Sequence, residues 1–289
     1  MPDQRTLNDF VLAGRWRFQK VIGAGADGTV YLAVDVNDHT PVAIKVFDSM
    51  VDDDVEVVKH RIESEASLVQ LVNSPWVVRF IQHGVARARG GKQAAYTVME
   101  HLQGHTLRSE LNYRRLPLVS AAELFDRCMR GVDALHRVGW VHMDIKPENI
   151  FVCDENLVGR EGSVKLFDFG NARPVQTAFT VGARGTPLYA APELCSRTGE
   201  VGQHTDVYSL GIVMYEVLAG RAPMVMDSVE QIVATHVYGT LDPLPQACPT
   251  WMSDIYRRAT ARSGADRFPN AGAMLSEWTA AMRLYGIPG

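Results

Sequence analysis

The chain is poor in cysteine: Cys128, Cys153, Cys195 and Cys248 are all it carries in 289 residues, and none stands in C-x-x-C spacing. That argues against a disulfide framework or a cysteine-built zinc site and suggests reduced thiols in a reducing compartment. Long apolar runs are missing too. The longest, Leu210 to Leu218, is interrupted by Glu216 and is too short to cross a bilayer, so a core helix is expected there and no membrane segment within this chain. No charged-then-apolar leader opens it, and a cytoplasmic location is expected. Positive charge is not in excess, with 29 Lys and Arg against 33 Asp and Glu, a net charge of -4. Basic residues are scattered apart from short groups such as Arg87, Arg89 and Lys92, which read as a basic turn, so nucleic acid is not an expected partner. Tracts rich in Pro, Gly or Ser, and internal repeats, are absent, and the chain should fold almost end to end.

What is present is ordinary globular material, 46% hydrophobic and 21% charged, in a length that suits one large or two small lobes. From Trp16 to about Tyr96 the segments RWRFQKVIG, TVYLAVD and PVAIKVF are bounded by the turn clusters GAGADG and NDHT, which predicts an antiparallel sheet. Val55 to Val72 breaks that pattern, with Val58, Ile62, Leu68 and Leu71 at helical spacing before Asn73-Ser74-Pro75 stops it. After Gly104 the text turns helical over Ala121 to Arg137, Asp206 to Ala219 and Trp251 to Arg262, with strand-like NIFV and VKLFDF between. The shift falls at Glu100 to Gly104 without a linker composition, as for two lobes on a short hinge.

Residues 23 to 30, GAGADGTV, match G-x-G-x-x-G-x-V between two predicted strands. Gly23, Gly25 and Gly28 would let backbone fold tightly over phosphate oxygens, and Val30 could press on a base. A dinucleotide fold would place the glycines before a helix, so a β-hairpin lid is the better fit, and an ordinary glycine-rich turn the plain alternative. One strand later, Val42-Ala43-Ile44-Lys45 can bury its apolar members and present Lys45 as a point charge for phosphate. Glu63 and Glu65 on the following helix could each pair with Lys45. Counting back from Pro75 favours Glu65, with Glu63 on the solvated face.

His142 through Asn149 (HMDIKPEN), Asp168-Phe169-Gly170 and Ala191-Pro192-Glu193 then follow in order. In this order the residues resemble the protein-kinase family from Val21 to about Arg267, specifically the bacterial eukaryotic-type (Hanks-type) serine/threonine kinases. The resemblance implies an α+β, bilobal protein-kinase fold: a single kinase domain over 1–289, with an antiparallel N-lobe of about 12–99 holding one helix, a hinge of about 100–104 and a mainly helical C-lobe of about 105–285. It also implies an ATP-dependent enzyme that phosphorylates Ser and Thr hydroxyls of protein substrates with Mg²⁺, or Mn²⁺ as the alternative ion. Phosphoryl transfer spreads negative charge over the moving group, so positioning and cations matter more than covalent chemistry. Asp144 would accept the incoming hydroxyl's proton, Lys146 would steady the γ-phosphate, and Asn149 and Asp168 would offer hard oxygens to the metal. Thr186 would bridge Asp144 and Lys146, Asp206 would hold the catalytic-loop backbone, and Arg267 would pair with Glu193. Ile22, the lid glycines, Val30, Ala43 and Lys45 would surround the nucleotide, and Met99-Glu100-His101-Leu102 would serve the adenine, Met99 as gatekeeper. Phe80, Val69, His142 and Phe169 stand where an apolar regulatory column would run, or are core residues.

Two positions depart from the family pattern. Asp27 puts an anion at the lid tip and is expected to point outward. Met143 stands where many relatives carry an arginine that gathers a phosphorylated loop residue. Its absence implies little dependence on phosphorylation of Thr177 or Thr180 and leaves room for a regulatory partner protein. A pseudokinase scaffold binding nucleotide and a partner is the rival from another class, and a small-molecule phosphotransferase a further one. His101 and His105 are not expected to bind metal, because Gly104 breaks any helix between them.

Overall fold

The computed structural model describes residues 10–25, 28–47, 71–87, 93–113, 116–153, 162–180, 186–196 and 200–287, without the side chains of 87, 93, 113 and 178–180. The expected helix at Val55 to Val72 therefore lies almost wholly outside the described residues, as do Glu63, Glu65, Val69, Asp27, Arg89 and Lys92. The chain divides into two compact units, one of residues 1–73 and 78–103, the other of 74–77 and 104–289.

The first unit carries a six-stranded antiparallel sheet built from β1 (Val11–Leu12), β2 (Trp16–Gly25), β3 (Gly28–Asp35), β4 (Pro41–Val46), β5 (Phe80–Arg87) and β6 (Gln93–Glu100), in the order β1-β2-β3-β4-β6-β5. Period-two alternation sends Trp16 and Phe18 inward while Arg17 stays exposed. Val42 and Ile44 enter the core with Ala33, Tyr96 and Val98, which leaves Ala43 and Lys45 on the opposite face of β4. Burying Ile44 completely contributes about 2 kcal/mol relative to exposure. Asp35 and Thr97 are the buried polar residues among those described in this unit, and the Arg15 Nε–H donates to Asp35 at 2.7 Å.

In the second unit β7 (Gly104–Thr106) leads into α1 (Leu107–Tyr113) and α2 (Leu118–Arg137). Then come β8 (Trp140–Val141), β9 (Ile150–Cys153), β10 (Val164–Leu166) and β11 (Arg173–Pro174). The rest is helical: α3 (Pro192–Ser196), α4 (Gln203–Ala219), α5 (Val229–Tyr238), α6 (Thr250–Ala259) and α7 (Ala271–Leu284). β10, β9 and β7 form one small antiparallel sheet, and β11 pairs with β8 in another. The apolar run Leu210 to Leu218 lies in α4, which is buried from Thr205 to Leu218 and ends on Gly220 in the left-handed conformation. Ser74–Val77 joins this unit because Leu166 N–H donates to Trp76 O at 2.8 Å. Gly131 lets α2 approach there, since a Cβ on it would come within 2.9 Å of Trp76 O. Among the described residues no helix is long and apolar enough to cross a membrane.

The α+β assignment holds. The starts of the three predicted helices move to Leu118, Gln203 and Thr250, and one end needs correcting: α6 ends at Ala259, not Arg262. Thr260 turns out of the helix, and Arg262 spends Nη2 on the Tyr238 and Gly239 carbonyls at 3.1 and 2.7 Å. Apolar periodicity carries no mark of that competition.

Candidate active site

In the first unit the hairpin β2–β3 closes with Gly23 opposite Val30 and Gly25 opposite Gly28. Gly28 has φ 141°, and a Cβ there would fall 2.2 Å from Val46 O. Only glycine fits, by backbone conformation and by space. Gly28→Ala should therefore lose about 1–3 kcal/mol of stability, read as a lower urea midpoint with an unchanged m value; a midpoint equal to wild type would show that the hairpin bends freely. Ile22 is exposed beside this turn. On β4, Lys45 is in register with Val30 on one side and Thr97 on the other, and its Nζ lies 5.2 Å from the centre of the Phe47 ring. Ala43 is in register with Met99, itself opposite Phe80. Glu100 N–H donates to Arg79 O at 2.9 Å and Glu100 Oε1 accepts from Arg79 N–H at 2.7 Å, fixing the strand end that precedes Leu102.

In the second unit HMDIKPEN forms a loop between β8 and β9 that is organised by two aspartates. Asp206, fully buried on α4, accepts His142 N–H at 2.7 Å and Met143 N–H at 2.8 Å. Ala271 N–H donates to His136 Nδ1 at 3.0 Å, so His136 carries its proton on Nε2 and donates it to Asp206 at 2.9 Å. Asp144 gathers the other side. Lys146 Nζ donates to its Oδ2 at 2.7 Å, Asn149 Nδ2 to its Oδ2 at 3.2 Å and to its carbonyl at 2.9 Å, and Thr186 N–H and Oγ1–H to its Oδ1 at 3.1 and 3.2 Å. Lys146 Nζ also donates to Thr186 Oγ1 at 2.8 Å, so Thr186 bridges the two.

Asn149 turns Nδ2 to Asp144, so its amide oxygen is the atom that could face a cation. Phe167 N–H donates to Asn149 O at 3.1 Å, which ties that residue to the strand leading to Asp168. Asp168 stands at φ 61°, in the left-handed region. Among the described residues no cluster of three or more His, Cys, Asp or Glu could hold a metal on its own. A carboxylate and an amide oxygen instead suit an ion such as Mg²⁺, whose remaining coordination comes from water and phosphate. The donor set fits that ion.

Beyond the loop, Arg267 grips Glu193 with both Nη atoms at 2.9 Å, and Thr205 Oγ1 adds a bond at 2.8 Å. Burial pushes the Glu193 carboxyl up, but the Arg267 hydrogen bonds and charge outweigh it and hold the carboxyl below its ordinary range. His142 and Phe169 are in ring contact at 5.4 Å, while Phe80 belongs to the first unit, 5.8 Å from the ring of His83. His105 pairs with Glu110 at 2.5 Å.

Sequence reasoning did not anticipate Arg108. It reaches from α1 to Glu148 of the catalytic loop (2.7 Å) and to Glu216 and Tyr189, while Tyr189 O–H donates to Glu216 at 2.7 Å. Burial opposes its charge, yet the two glutamates raise its pKa further. A lone arginine after Leu107 carries no local signal of partners 40, 81 and 108 residues away. Met143 was expected only as a missing arginine. It is buried at φ 63° in an apolar cluster with Val141, Leu194 and Val201, against which Val175 and Ala190 pack.

A buried aspartate holding this loop, the Asp144–Lys146–Thr186 cluster and a carboxylate after β10 on an α+β frame are the parts of a phosphotransferase of the protein kinase type, and the protein kinase domain family matches residues 16–271. The chain belongs to that family. It is 32% identical over 265 residues to the serine/threonine-protein kinase PknA of Mycobacterium tuberculosis, covering 90% of this chain and 60% of that protein. The serine/threonine-protein kinase PknL of the same organism is 34% identical over 293 residues, 98% of this chain and 69% of its own. PknA of Corynebacterium glutamicum is 31% identical over 268 residues, 91% of this chain and 55% of its own. The chain thus spans between about half and about two thirds of the length of these relatives.

Proposed function

We propose that this chain, as a single kinase domain over 1–289, transfers the γ-phosphoryl group of ATP to Ser and Thr hydroxyls of a protein substrate. The observation that carries the reading is the set of donors converging on Asp144: Lys146, Thr186 and Asn149 aim it as an ionised carboxylate. In this reading Asp144 accepts the proton of the attacking hydroxyl and Lys146 meets the γ-phosphate. Lys45 meets the other phosphates in this reading, and Glu65, which lies outside the described residues, is the residue that would pair with it. The lid residues Ile22, Gly23, Gly25, Gly28 and Val30 cover the nucleotide, and Ala43, Met99, Glu100 and Leu102 receive its base. Asn149 and Asp168 hold Mg²⁺, or Mn²⁺ in its place, and the ion neutralises charge on the phosphates. The thiol pattern supports a cytoplasmic setting, and the name shared by the relatives supports the serine/threonine preference.

Activity independent of phosphorylation in the segment after Asp168 is the finer part of the proposal. Support comes from Met143: its cluster joins the catalytic loop to Val175 by apolar contact, and β11 pairs with β8 just before it. Such contacts need no phosphate to form. Thr177 is exposed and its hydroxyl donates to Pro174 O at 3.1 Å, while the side chain of Thr180 lies outside the described residues. Control then falls to substrate supply or a regulatory partner protein.

Incubation of the chain with MgATP and a Ser/Thr-rich acceptor protein, followed by mass mapping of phosphorylated sites, tests both parts. Label on Ser and Thr is expected, and a Thr177→Ala/Thr180→Ala protein should keep its rate within tenfold. A larger fall, above about 1.4 kcal/mol of barrier, would overturn the phosphate-independent reading. No transfer at all, with ATP still bound, would favour the pseudokinase.

A further inference from the structure

A cavity of about 430 Å³ opens in the second unit between α4, α5 and α6, away from the Asp144 cluster and unused by the proposed chemistry. Its volume lies within the range of small-molecule sites. The wall is amphipathic: Leu241 and Pro243 are its accessible apolar side chains, Tyr208, Tyr256, Leu244 and His236 are lining residues that are almost fully buried, and Arg257 and Arg262 are its cations. No carboxylate lines it among the described residues.

The two arginines differ. Both are exposed, and the difference lies in their partners: Arg257 pairs with Asp254 one turn back. Arg262 spends Nη2 on the carbonyls of Tyr238 and Gly239 and has no carboxylate partner among the described residues, so its charge is left for something else. His236 adds no charge. It is buried, accepts from Tyr208 O–H through Nδ1 at 2.7 Å and donates through Nε2 to Leu188 O at 3.2 Å, an arrangement that needs the neutral ring. Burial pushes its pKa down to about 4. The cavity therefore combines apolar surface with one uncompensated guanidinium, the reverse of what a cationic or sugar-like ligand would need.

We propose that this cavity is a binding site for a small carboxylate with a flat apolar body, the carboxylate meeting Arg262 and the body lying against Leu241 and Pro243. Because His236 also holds Leu188 O, two residues past Thr186, the site is one hydrogen bond from the segment that contacts Asp144. Binding itself does not depend on the kinase reading.

The probe is 2-naphthoate, with neutral 2-naphthamide of the same shape as its control, titrated into the whole chain while the imidazole nitrogen signals of His236 are followed by NMR. Saturable 1:1 binding with a Kd of about 1 mM or below is expected, with the His236 signals moving along the same curve. The amide should bind about three- to fivefold more weakly. Arg262→Gln should erase that difference by weakening the carboxylate alone, and Ser253→Phe, which places a ring at the cavity wall, should weaken both ligands. Equal affinity for carboxylate and amide in the wild type would overturn the proposal, as would unmoved His236 signals at 10 mM ligand. The wild-type titration decides these even if a variant fails to fold.

Discussion

Asp144→Asn protein is expected to bind ATP within about threefold of wild type and to transfer phosphate about 10³-fold more slowly, roughly 4 kcal/mol of added barrier. The carboxylate receives donors only: Lys146 Nζ, Asn149 Nδ2, and the Thr186 N–H and hydroxyl. An amide keeps the shape, but its NH₂ must face one of those donors, and it cannot take a proton from a hydroxyl. Loss of the charge-assisted bond to Lys146 should lower stability by about 1–2 kcal/mol, too little to unfold the domain. Rate and fold thus separate in one variant. Equal incorporation of labelled phosphate by the variant and the wild type, at equal protein and MgATP, would remove Asp144 from the reaction.

The catalytic loop was read in its sequence as two functions, transfer by Asp144, Lys146 and Asn149 and control through position 143. The structure joins them through the backbone. Met143 occupies a left-handed conformation that costs a branched or long side chain about 1–2 kcal/mol, and this turn sends its side chain into the apolar cluster while Asp144 faces Lys146 and Thr186. An arginine there would carry its charge into the company of Val141, Leu194 and Val201, where burying an unpaired cation is costly. Methionine at this place is therefore more than a missing charge: the surrounding apolar residues match it.

Legibility followed range. The strands were readable because period-two alternation is local: Trp16 and Phe18 inward, Val42 and Ile44 inward, Lys45 on the other face. The order of HMDIKPEN, Asp168-Phe169-Gly170 and Ala191-Pro192-Glu193 was readable because motif spacing is local too. Of the partners chosen across the fold, those that the family resemblance implies, Asp206 with the loop and Arg267 with Glu193, were named in advance, and those it does not imply escaped. Arg108 meets Glu216 from 108 residues away, and His136 reaches Ala271 across 135. Nothing in the neighbourhood of either residue predicts this, since burial and neutralisation are decided by which helices pack together. The end of α6 was misjudged for a related reason, because Arg262 is drawn to the carbonyls that close α5.

Asp206→Ala should be the most damaging single change to stability. The carboxylate satisfies three buried donors, the N–H groups of His142 and Met143 and Nε2–H of His136. Alanine leaves all three without an acceptor in a site closed to water, at about 1–3 kcal/mol each. Some relaxation brings the expected loss to about 3–6 kcal/mol, a large share of the 5–15 kcal/mol that holds a typical domain. The strained turn at Met143 then loses what fixes it, so any folded fraction should present Asp144 poorly. The measurement is a urea titration at constant pH, paired with initial rates normalised to the folded fraction. A lower midpoint that corresponds to a stability loss of about 3–6 kcal/mol, together with a rate loss of about 10²-fold, is expected. Asp206→Asn should fall between, because its single oxygen can accept from one side while its NH₂ opposes a donor on the other. If Asp206→Ala stays within 1 kcal/mol of wild type and turns over at the normal rate, the loop is held by Lys146, Thr186 and the apolar packing of Met143, and the buried carboxylate is dispensable.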